Sequence, residues 1–245
     1  MRDKPPLVLL PGTLCDERLW MPQIEALIGQ ANILVPRIDT CDDLDGQARD
    51  ILKRIPWPRF NLAGLSMGGI LALSMLRQAP QRVERLALLN TNPFAEAPER
   101  QAQRRGDIEQ AATMGIARYA REVLAPLYPA EGASGDPVHA ELVVAMAERA
   151  GLETFRRQAL ALRDRPDGSA GLAAITQPTL VLCGDGDRLC PPERHTYLAE
   201  HIPDADLMIL EGVGHLSTLQ APAVVSQSLA NWLTREPNPL PRREP

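Results

Sequence analysis

Several features that would define a protein class at once are missing from this sequence. The chain of 245 residues has no apolar stretch that approaches the length of a membrane span. Its net charge of −5 argues against a nucleic-acid-binding surface, which needs an excess of basic residues. Residues 1–6 lack the hydrophobic region of a secretory signal, so we expect a cytoplasmic protein. There is no internal repeat.

The cysteines also lack a diagnostic pattern. Cys15, Cys41, Cys183 and Cys190 show neither C-x-x-C nor zinc-binding spacing. In a reducing compartment, we expect all four to be free thiols. Cys15 and Cys190 fall on predicted loops, where a reactive thiol and a simple loop-filling residue are both compatible with the sequence.

What the chain does have is an alternation of apolar strands and helical segments. With 44% hydrophobic and 23% charged residues, its length suits one α/β domain with a large core. Alternating strands and helices predict a mostly parallel sheet with helices on both faces. We expect about six strands, near residues 7–10, 33–35, 60–63, 83–89, 179–183 and 206–210.

The alternation stops between residues 91 and 175. This stretch predicts no strand but several amphipathic helices, near 98–113, 116–124, 137–150 and 152–163. An insertion after a sheet strand would lie over the pocket as a cap, although a helical layer without a lid role fits the same pattern. The predicted core then comprises residues 1–90 and 176–235. The proline-rich tail 236–245 is expected to be disordered.

The pentapeptide G-L-S-M-G at 64–68 matches the G-x-S-x-G pattern of a nucleophilic serine. An apolar strand predicted at 60–63 precedes it, and a helix predicted at 69–79 follows and is stopped by Pro80. Ser66 would therefore lie at the tip of a sharp turn. Glycines are needed on both sides because the strand and the helix nearly collide there and a Cβ would clash.

A serine hydroxyl needs a neighbouring base to act as a nucleophile near neutral pH. Of the four histidines, His215 follows a predicted strand through a glycine-containing turn and can reach across the carboxyl edge of a parallel sheet. A loop histidine that caps a helix or packs on a neighbour is the alternative. His139, His195 and His201 are expected to be structural or exposed.

The base in turn needs a group that fixes its tautomer. The strand predicted at 179–183 is followed by Asp185 and Asp187. We favour Asp187, which lies in G-x-x-D with a proline four residues on, whereas Asp185 between glycines is typical of a turn. An Asx turn with a helix cap would explain either aspartate without catalysis. The order along the chain is then Ser66, Asp187, His215.

An oxyanion hole would complete such a site. One donor is predicted to be the backbone N–H of Met67, directly after the nucleophile, and the second the N–H of Thr13 in the loop after the first strand. The alternative for this loop, which begins with Pro11-Gly12, is an ordinary turn before a helix capped by Asp16.

These motifs together resemble the α/β-hydrolase superfamily, and particularly compact bacterial esterases with a short helical cap. The matches are strand-P-G-T…W at 7–20, G-L-S-M-G-G at 64–69, G-x-x-D-x-x-x-P at 184–191 and G-H-L at 214–216. The resemblance implies the α/β-hydrolase fold and the Ser-Asp-His machinery, but no particular substrate. Two features depart from it. Pro11-Gly12 replaces the His-Gly of many members, and only six residues precede the first strand, too few for the antiparallel extension common in the family.

The predicted cap should select the substrate. Candidate substrate-binding residues are Leu14, Tyr119, Leu124, Tyr128, Phe155 and Leu216. Most of the cap residues among them could equally form the core of the cap. Near its end lie four arginines, Arg156, Arg157, Arg163 and Arg165. One of these would clamp a substrate carboxylate, or all would be solvated on a helix face.

The leading hypothesis is a carboxylesterase-like serine hydrolase that cleaves small esters or thioesters through an acyl-enzyme on Ser66. This mechanism needs no metal and no organic cofactor. A C–C bond hydrolase or lyase on the same fold is the second hypothesis, and a small-molecule binding protein with an idle triad is the third. The expected partner is a small acyl substrate, not nucleic acid, and the protein is expected to be a monomer or homodimer.

Overall fold

A sheet of six parallel strands organises the computed structural model, which describes residues 4–130 and 132–236. The strands are β1 (Pro6–Leu10), β2 (Asn32–Leu34), β3 (Phe60–Leu65), β4 (Val83–Leu89), β5 (Thr179–Gly184) and β6 (Ala205–Leu210). Their order across the sheet is β2-β1-β3-β4-β5-β6, and every neighbouring pair is parallel. The predicted fold class is confirmed. Residues 237–245 of the tail predicted to be disordered lie outside the described residues.

The helices among the described residues connect these strands and cover the sheet. They are α1 (Met21–Leu27), α2 (Leu44–Arg54), α3 (Met67–Gln78), α4 (Pro98–Met114), α5 (Ile116–Tyr119), α6 (Pro137–Arg163), α7 (Pro192–His201), α8 (Ser217–Gln220) and α9 (Pro222–Thr234). None of them combines the length and the apolarity that crossing a bilayer requires.

Two hydrophobic clusters lie on opposite faces of the sheet. Alternate side chains of a strand point to opposite faces, so Val8 packs with α2, α3 and α7 whereas Leu9 packs with α1 and α9. Strands β3 and β5 are buried throughout because both faces are covered. At the edge of the sheet, β6 is partly open and exposes Leu207 and Ile209. The central strands therefore hold their carboxyl ends rigidly at one edge.

The helical insertion, residues 91–175, lies between β4 and β5. It contains α4, α5 and α6 and no strand among its described residues. Helix α6 is interrupted at Gly151, where φ is +80°, so the separation into two predicted helices at this position is confirmed. The segment predicted as one helix over 116–124 is instead α5 followed by a π-helical turn at Ala120–Leu124. A third cluster of buried side chains forms the interior of this insertion.

Candidate active site

Ser66 occupies the sharp turn between β3 and α3. Its backbone has φ +58° and ψ −119°, a strained conformation for a residue other than glycine. A Cβ on Gly64 would lie 2.2 Å from the carbonyl oxygen of Gly68, and one on Gly68 would lie 2.1 Å from the carbonyl oxygen of Leu10. Only glycine therefore fits at these two positions, and the turn holds the serine at the carboxyl edge of the sheet.

Hydrogen bonds from β4 and α7 fix this turn. The N–H of Ser66 donates to the carbonyl of Leu89 at 2.9 Å, and the hydroxyl of Thr91 donates to the carbonyl of Ser66 at 2.8 Å. The N–H of Thr91 in turn donates to Nε2 of His195 at 2.8 Å. Burial lowers the pKa of His195 to about 4, so its ring is neutral and can accept this bond. His195 thus stabilises the turn indirectly, through its hydrogen bond with Thr91.

The structure brings together the three side chains that the sequence singled out. Nε2 of His215 lies 2.9 Å from Oγ of Ser66, and Nδ1 lies 2.9 Å from both carboxylate oxygens of Asp187. A carboxylate can only accept, so Nδ1–H donates to Asp187 and leaves Nε2 free to accept from the serine hydroxyl. The side chains of His215 and Asp187 are 4% and 0% exposed, which shields both from water.

Asp187 is held as a carboxylate by its surroundings. Burial alone would raise its pKa, but the charge and hydrogen bond of His215, with hydrogen bonds from the Cys190 amide and from Asn90, outweigh burial and lower it. The backbone N–H groups of Leu189 and Cys190 each donate to it at 2.9 Å. Asp185 instead accepts from the N–H of Gly212 at 2.8 Å, as a turn-forming residue would.

Asn90 connects the loops that carry Asp187 and His215, and sequence reasoning missed it. Its side chain donates to Asp187 at 3.0 Å and to the carbonyl of Gly214 at 3.1 Å, and accepts from the hydroxyl of Ser217 at 2.5 Å. It is fully buried and has φ +47°. The available signal was a polar Asn-Thr-Asn run at 90–92, directly after the apolar strand β4.

The amides of Thr13 and Met67 are the predicted oxyanion-hole donors. Neither N–H has a hydrogen-bond partner within the described part of the chain, and both residues line the cavity in front of Ser66. The next residue in the loop, Leu14, has φ +57° and donates its N–H to Oε1 of Gln158 at 2.8 Å. Gln158, a buried residue of α6, also donates to the carbonyl of Ile38 at 2.7 Å. This residue was not foreseen either.

Comparison with known proteins decides the family. A family model described as the alpha/beta hydrolase fold matches residues 35–222. The chain belongs to this family. It is 30% identical over 226 residues, 85% of this chain and 80% of the relative, to "Putative carbamate hydrolase RutD" of Yersinia enterocolitica.

Two further relatives are named as esterases. This hydrolase is 29% identical over 237 residues to a pimeloyl-[acyl-carrier protein] methyl ester esterase of Aromatoleum aromaticum, covering 90% of this chain and 94% of that protein. A malate-bound thermophilic esterase from Thermogutta terrifontis superposes with a TM-score of 0.87 at 28% identity, covering 94% of this chain and 90% of that one.

The cavity beside Ser66 has a volume of about 620 Å³. Five of the six candidate substrate-binding residues line it: Tyr119, Leu124, Tyr128, Phe155 and Leu216. Leu14 does not, which corrects the prediction for that residue. The side chain of Leu14 is buried in the hydrophobic cluster of the helical insertion, which takes up the contacts that the prediction assigned to substrate. Tyr128 also stacks on His215, with ring centroids 5.7 Å apart.

Two cysteines and two histidines can now be assigned. Cys15 and Cys190 line the cavity, but burial raises the pKa of each thiol to about 12, so both are protonated and poorly nucleophilic. Cys15 and Cys190 are therefore better interpreted as loop-filling residues than as reactive thiols. Neither His139 nor His201 lines the cavity.

The four clustered arginines of α6 and the residues after it do not act together. Arg156 and Arg157 both pair with Glu153 on the surface of the helix, and Arg163 pairs with its neighbour Asp164. None of these three lines the cavity. Arg165, beyond the end of the helix, does.

Proposed function

We propose that this hydrolase cleaves small carboxylic esters or thioesters through an acyl-enzyme on Ser66. The observation that carries the proposal is the hydrogen-bonded series of Asp187, His215 and Ser66, with 2.9 Å at each contact, at the mouth of a cavity. An imidazole whose Nε2 lies within hydrogen-bond distance of the serine hydroxyl is placed to remove its proton.

In the first half-reaction, Oγ of Ser66 attacks the acyl carbon while Nε2 of His215 takes the serine proton. The carbonyl oxygen becomes an oxyanion, which the open amides of Thr13 and Met67 would stabilise. His215 then gives its proton to the departing alkoxide or thiolate as the bond to the acyl carbon breaks. Asp187 keeps the ring oriented and stabilises its transient positive charge.

In the second half-reaction, a water molecule replaces the leaving group. His215 removes a proton from the water as its oxygen attacks the ester carbon of the acyl-enzyme, and the same two amides stabilise the second oxyanion. The bond to Oγ then breaks, and His215 returns the proton to Ser66. The products are a free carboxylic acid and an unchanged enzyme.

The helical insertion is proposed to act as the cap of this site. Tyr119 and Phe155 of the insertion line the same cavity as Ser66 and pack against each other with ring centroids 5.1 Å apart. These aromatic groups would limit the size of the acyl or alcohol group. We propose residues 91–175 as the cap and residues 1–90 and 176–235 as the catalytic core.

A carbamate is the second candidate substrate. It is favoured by the name of the relative from Yersinia enterocolitica, and the same site would form a carbamoyl-serine in place of an acyl-serine. The C–C bond alternative was motivated by the cluster of four arginines. Because three of them lie outside the cavity, ester hydrolysis remains the proposal.

The test compares wild type with Ser66→Ala on a panel of 4-nitrophenyl esters of short acids. By analogy with a measured catalytic triad, the variant should lose on the order of 10⁶-fold in kcat. Ser134→Ala, which removes an exposed hydroxyl outside the cavity, is the matched control and should be as active as wild type. Mass spectrometry of the quenched wild-type reaction should show the acyl group on Ser66. Equal turnover by Ser66→Ala would refute the mechanism.

A further inference from the structure

One wall of the cavity is strongly basic. Five arginines contribute to its lining: Arg100, Arg104, Arg165, Arg188 and Arg194. A single acidic residue, Glu96, lines it with them. The protein as a whole has a net charge of −5, so this concentration of positive charge is local.

The most buried part of this wall is a cluster in which two guanidinium groups share one directly paired carboxylate. One carboxylate oxygen of Glu96 pairs with Arg104 at 2.5 Å and with Arg165 at 3.1 Å. The side chains of Glu96, Arg104 and Arg165 are only 8%, 13% and 3% exposed. Burial would raise the pKa of Glu96, but the two guanidinium groups outweigh it and keep the carboxylate ionised. A hydrogen bond from Ser169 and, to a smaller extent, the charge of Arg165 also lower the pKa of Asp167, but Glu96 is the carboxylate that pairs directly with Arg104 and Arg165 among the described residues. A buried guanidinium group with donors to spare is stabilised when an anion joins it.

Arg165 also has unused hydrogen-bond donors. Its Nε donates to the carbonyl of Phe94 at 2.8 Å, and its Nη1 donates to the carbonyl of Leu162 at 3.2 Å and faces Glu96. Its Nη2 has no acceptor among residues 4–130 and 132–236, although the side chain is almost completely buried and lines the cavity. A guanidinium group has five N–H donors, so two of those of Arg165 are available to a ligand in the cavity.

A second arginine reaches the same region from α7. Arg194 lines the cavity, is half-buried, and within the described part of the chain its side chain has neither a carboxylate partner nor an acceptor. Cys190, which also lines the cavity, is within electrostatic reach of both groups. Burial raises the pKa of its thiol, and the charges of both Arg194 and Arg165 act in the opposite direction. Because the N–H of Cys190 donates to Asp187, this basic region adjoins the catalytic acid loop.

We propose that Arg165 and Arg194 form an anion subsite for a carboxylate on the substrate, so that preferred substrates are esters with a second, free carboxylate, such as monoesters of dicarboxylic acids. The inference rests on the proposed ester hydrolysis at Ser66. A carboxylate fits the planar donor pattern of a guanidinium group, and its two oxygens suit the unused donors of Arg165 and Arg194.

The test uses three substrates of similar size: monomethyl glutarate, its neutral counterpart dimethyl glutarate, and methyl pentanoate. Hydrolysis is followed by acid release at constant pH. Wild type should favour the monoanion by roughly 10- to 100-fold in kcat/KM, the range expected for hydrogen bonds to a charged group. Arg194→Gln should remove most of this preference, mainly through KM for the anionic ester. Arg165→Gln should do the same.

Arg165→Gln also removes one of the two arginine partners of Glu96. If Arg165→Gln does not fold, Arg194→Gln decides. The matched control is Arg156→Gln, which removes a surface arginine outside the cavity and should retain the wild-type preference. Glutarate should inhibit hydrolysis of methyl pentanoate competitively, and its inhibition constant should rise in Arg194→Gln but not in Arg156→Gln.

The outcomes separate this inference from the proposed function. Ser66-dependent hydrolysis without a preference for the monoanion would overturn the subsite and leave the esterase proposal intact. If none of these esters is cleaved, calorimetric binding of glutarate to wild type and Arg194→Gln still decides, and equal affinity for both would overturn the subsite. Stronger inhibition by inorganic phosphate than by glutarate would overturn its assignment to a carboxylate.

Discussion

The buried histidine behind the catalytic turn should make the protein unstable in mild acid. His195 is completely buried and accepts the N–H of Thr91, whose hydroxyl holds the carbonyl of Ser66. A protonated ring has no lone pair for this bond and would place a positive charge in the protein interior. Burial accordingly lowers the pKa of His195 from its ordinary value of 6.5 to about 4. The ring therefore stays neutral in the folded protein until the pH is close to 4.

The sign of the effect follows from proton binding by the two states. Between about pH 6.5 and pH 4 the unfolded chain binds a proton at His195 and the folded protein does not. The free energy of unfolding therefore falls as the pH is lowered through this window, and the contribution of the neutral ring is fully present above it. A difference of roughly 2.5 pKa units corresponds to about 3 kcal/mol at the acid end.

The assay is urea unfolding of wild type and His195→Gln at about pH 7 and pH 4.5. A glutamine oxygen can still accept the Thr91 N–H but does not titrate. Wild type should lose about 2–3 kcal/mol more than His195→Gln over this range, because only wild type carries the linked proton. His201→Gln, which removes an exposed histidine, is the control and should follow wild type. Identical pH dependence in wild type and His195→Gln would refute the reasoning.

Two further predictions concern residues that hold the site without lining the cavity. Asn90→Ala and Asn90→Gly both remove the hydrogen bonds to Asp187 and to the Gly214 carbonyl, so both should lower kcat. Alanine should be the less stable variant by about 1 kcal/mol or more, since only glycine adopts the positive φ without cost. Equal unfolding free energies in urea would contradict this. Gln158→Leu strands the Leu14 N–H and the Ile38 carbonyl, and should cost about 2–4 kcal/mol in urea unfolding and reduce kcat more than it changes KM. Gln158→Glu keeps the acceptor for Leu14 and should recover part of kcat; no recovery would show that the oxyanion loop does not depend on this bond.

The parts of the molecule that follow from local rules could be predicted from the sequence. Strands β3 and β5 are short apolar runs bounded by turn residues, because both faces of a parallel strand are buried. The turn at Ser66 was predicted because steric contact permits only glycine at two fixed positions around it. Ser66, Asp187 and His215 could be named because each follows a strand, and the carboxyl ends of parallel strands lie at one edge of the sheet.

The supporting contacts could not be predicted because they join distant parts of the chain. Gln158 bonds to Leu14 across 144 positions, and no spacing within α6 marks it as different from other polar residues of that helix. The arginines show the opposite error. Arg156 and Arg157 both pair with Glu153 on the helix surface, so closeness in the sequence did not place the cluster at the cavity. Arg165, the member of the cluster that lines the cavity, lies two residues beyond the end of α6.

From these long-range contacts we expect the helical insertion to contribute to the proposed catalysis as well as to substrate choice. The loop of Thr13 is held by Gln158 of α6, and the N–H of His215 donates at 2.8 Å to the backbone carbonyl of Tyr128. The two contacts differ in kind. The hydrogen bond to Tyr128 uses a backbone carbonyl, so it remains when the Tyr128 side chain is replaced. The hydrogen bond to Gln158 uses the side chain, so replacement of Gln158 removes it. Exchange of the lining side chains should therefore alter selectivity at little cost in rate, while exchange of the whole insertion should impair the oxyanion loop and the base together unless both contacts are rebuilt.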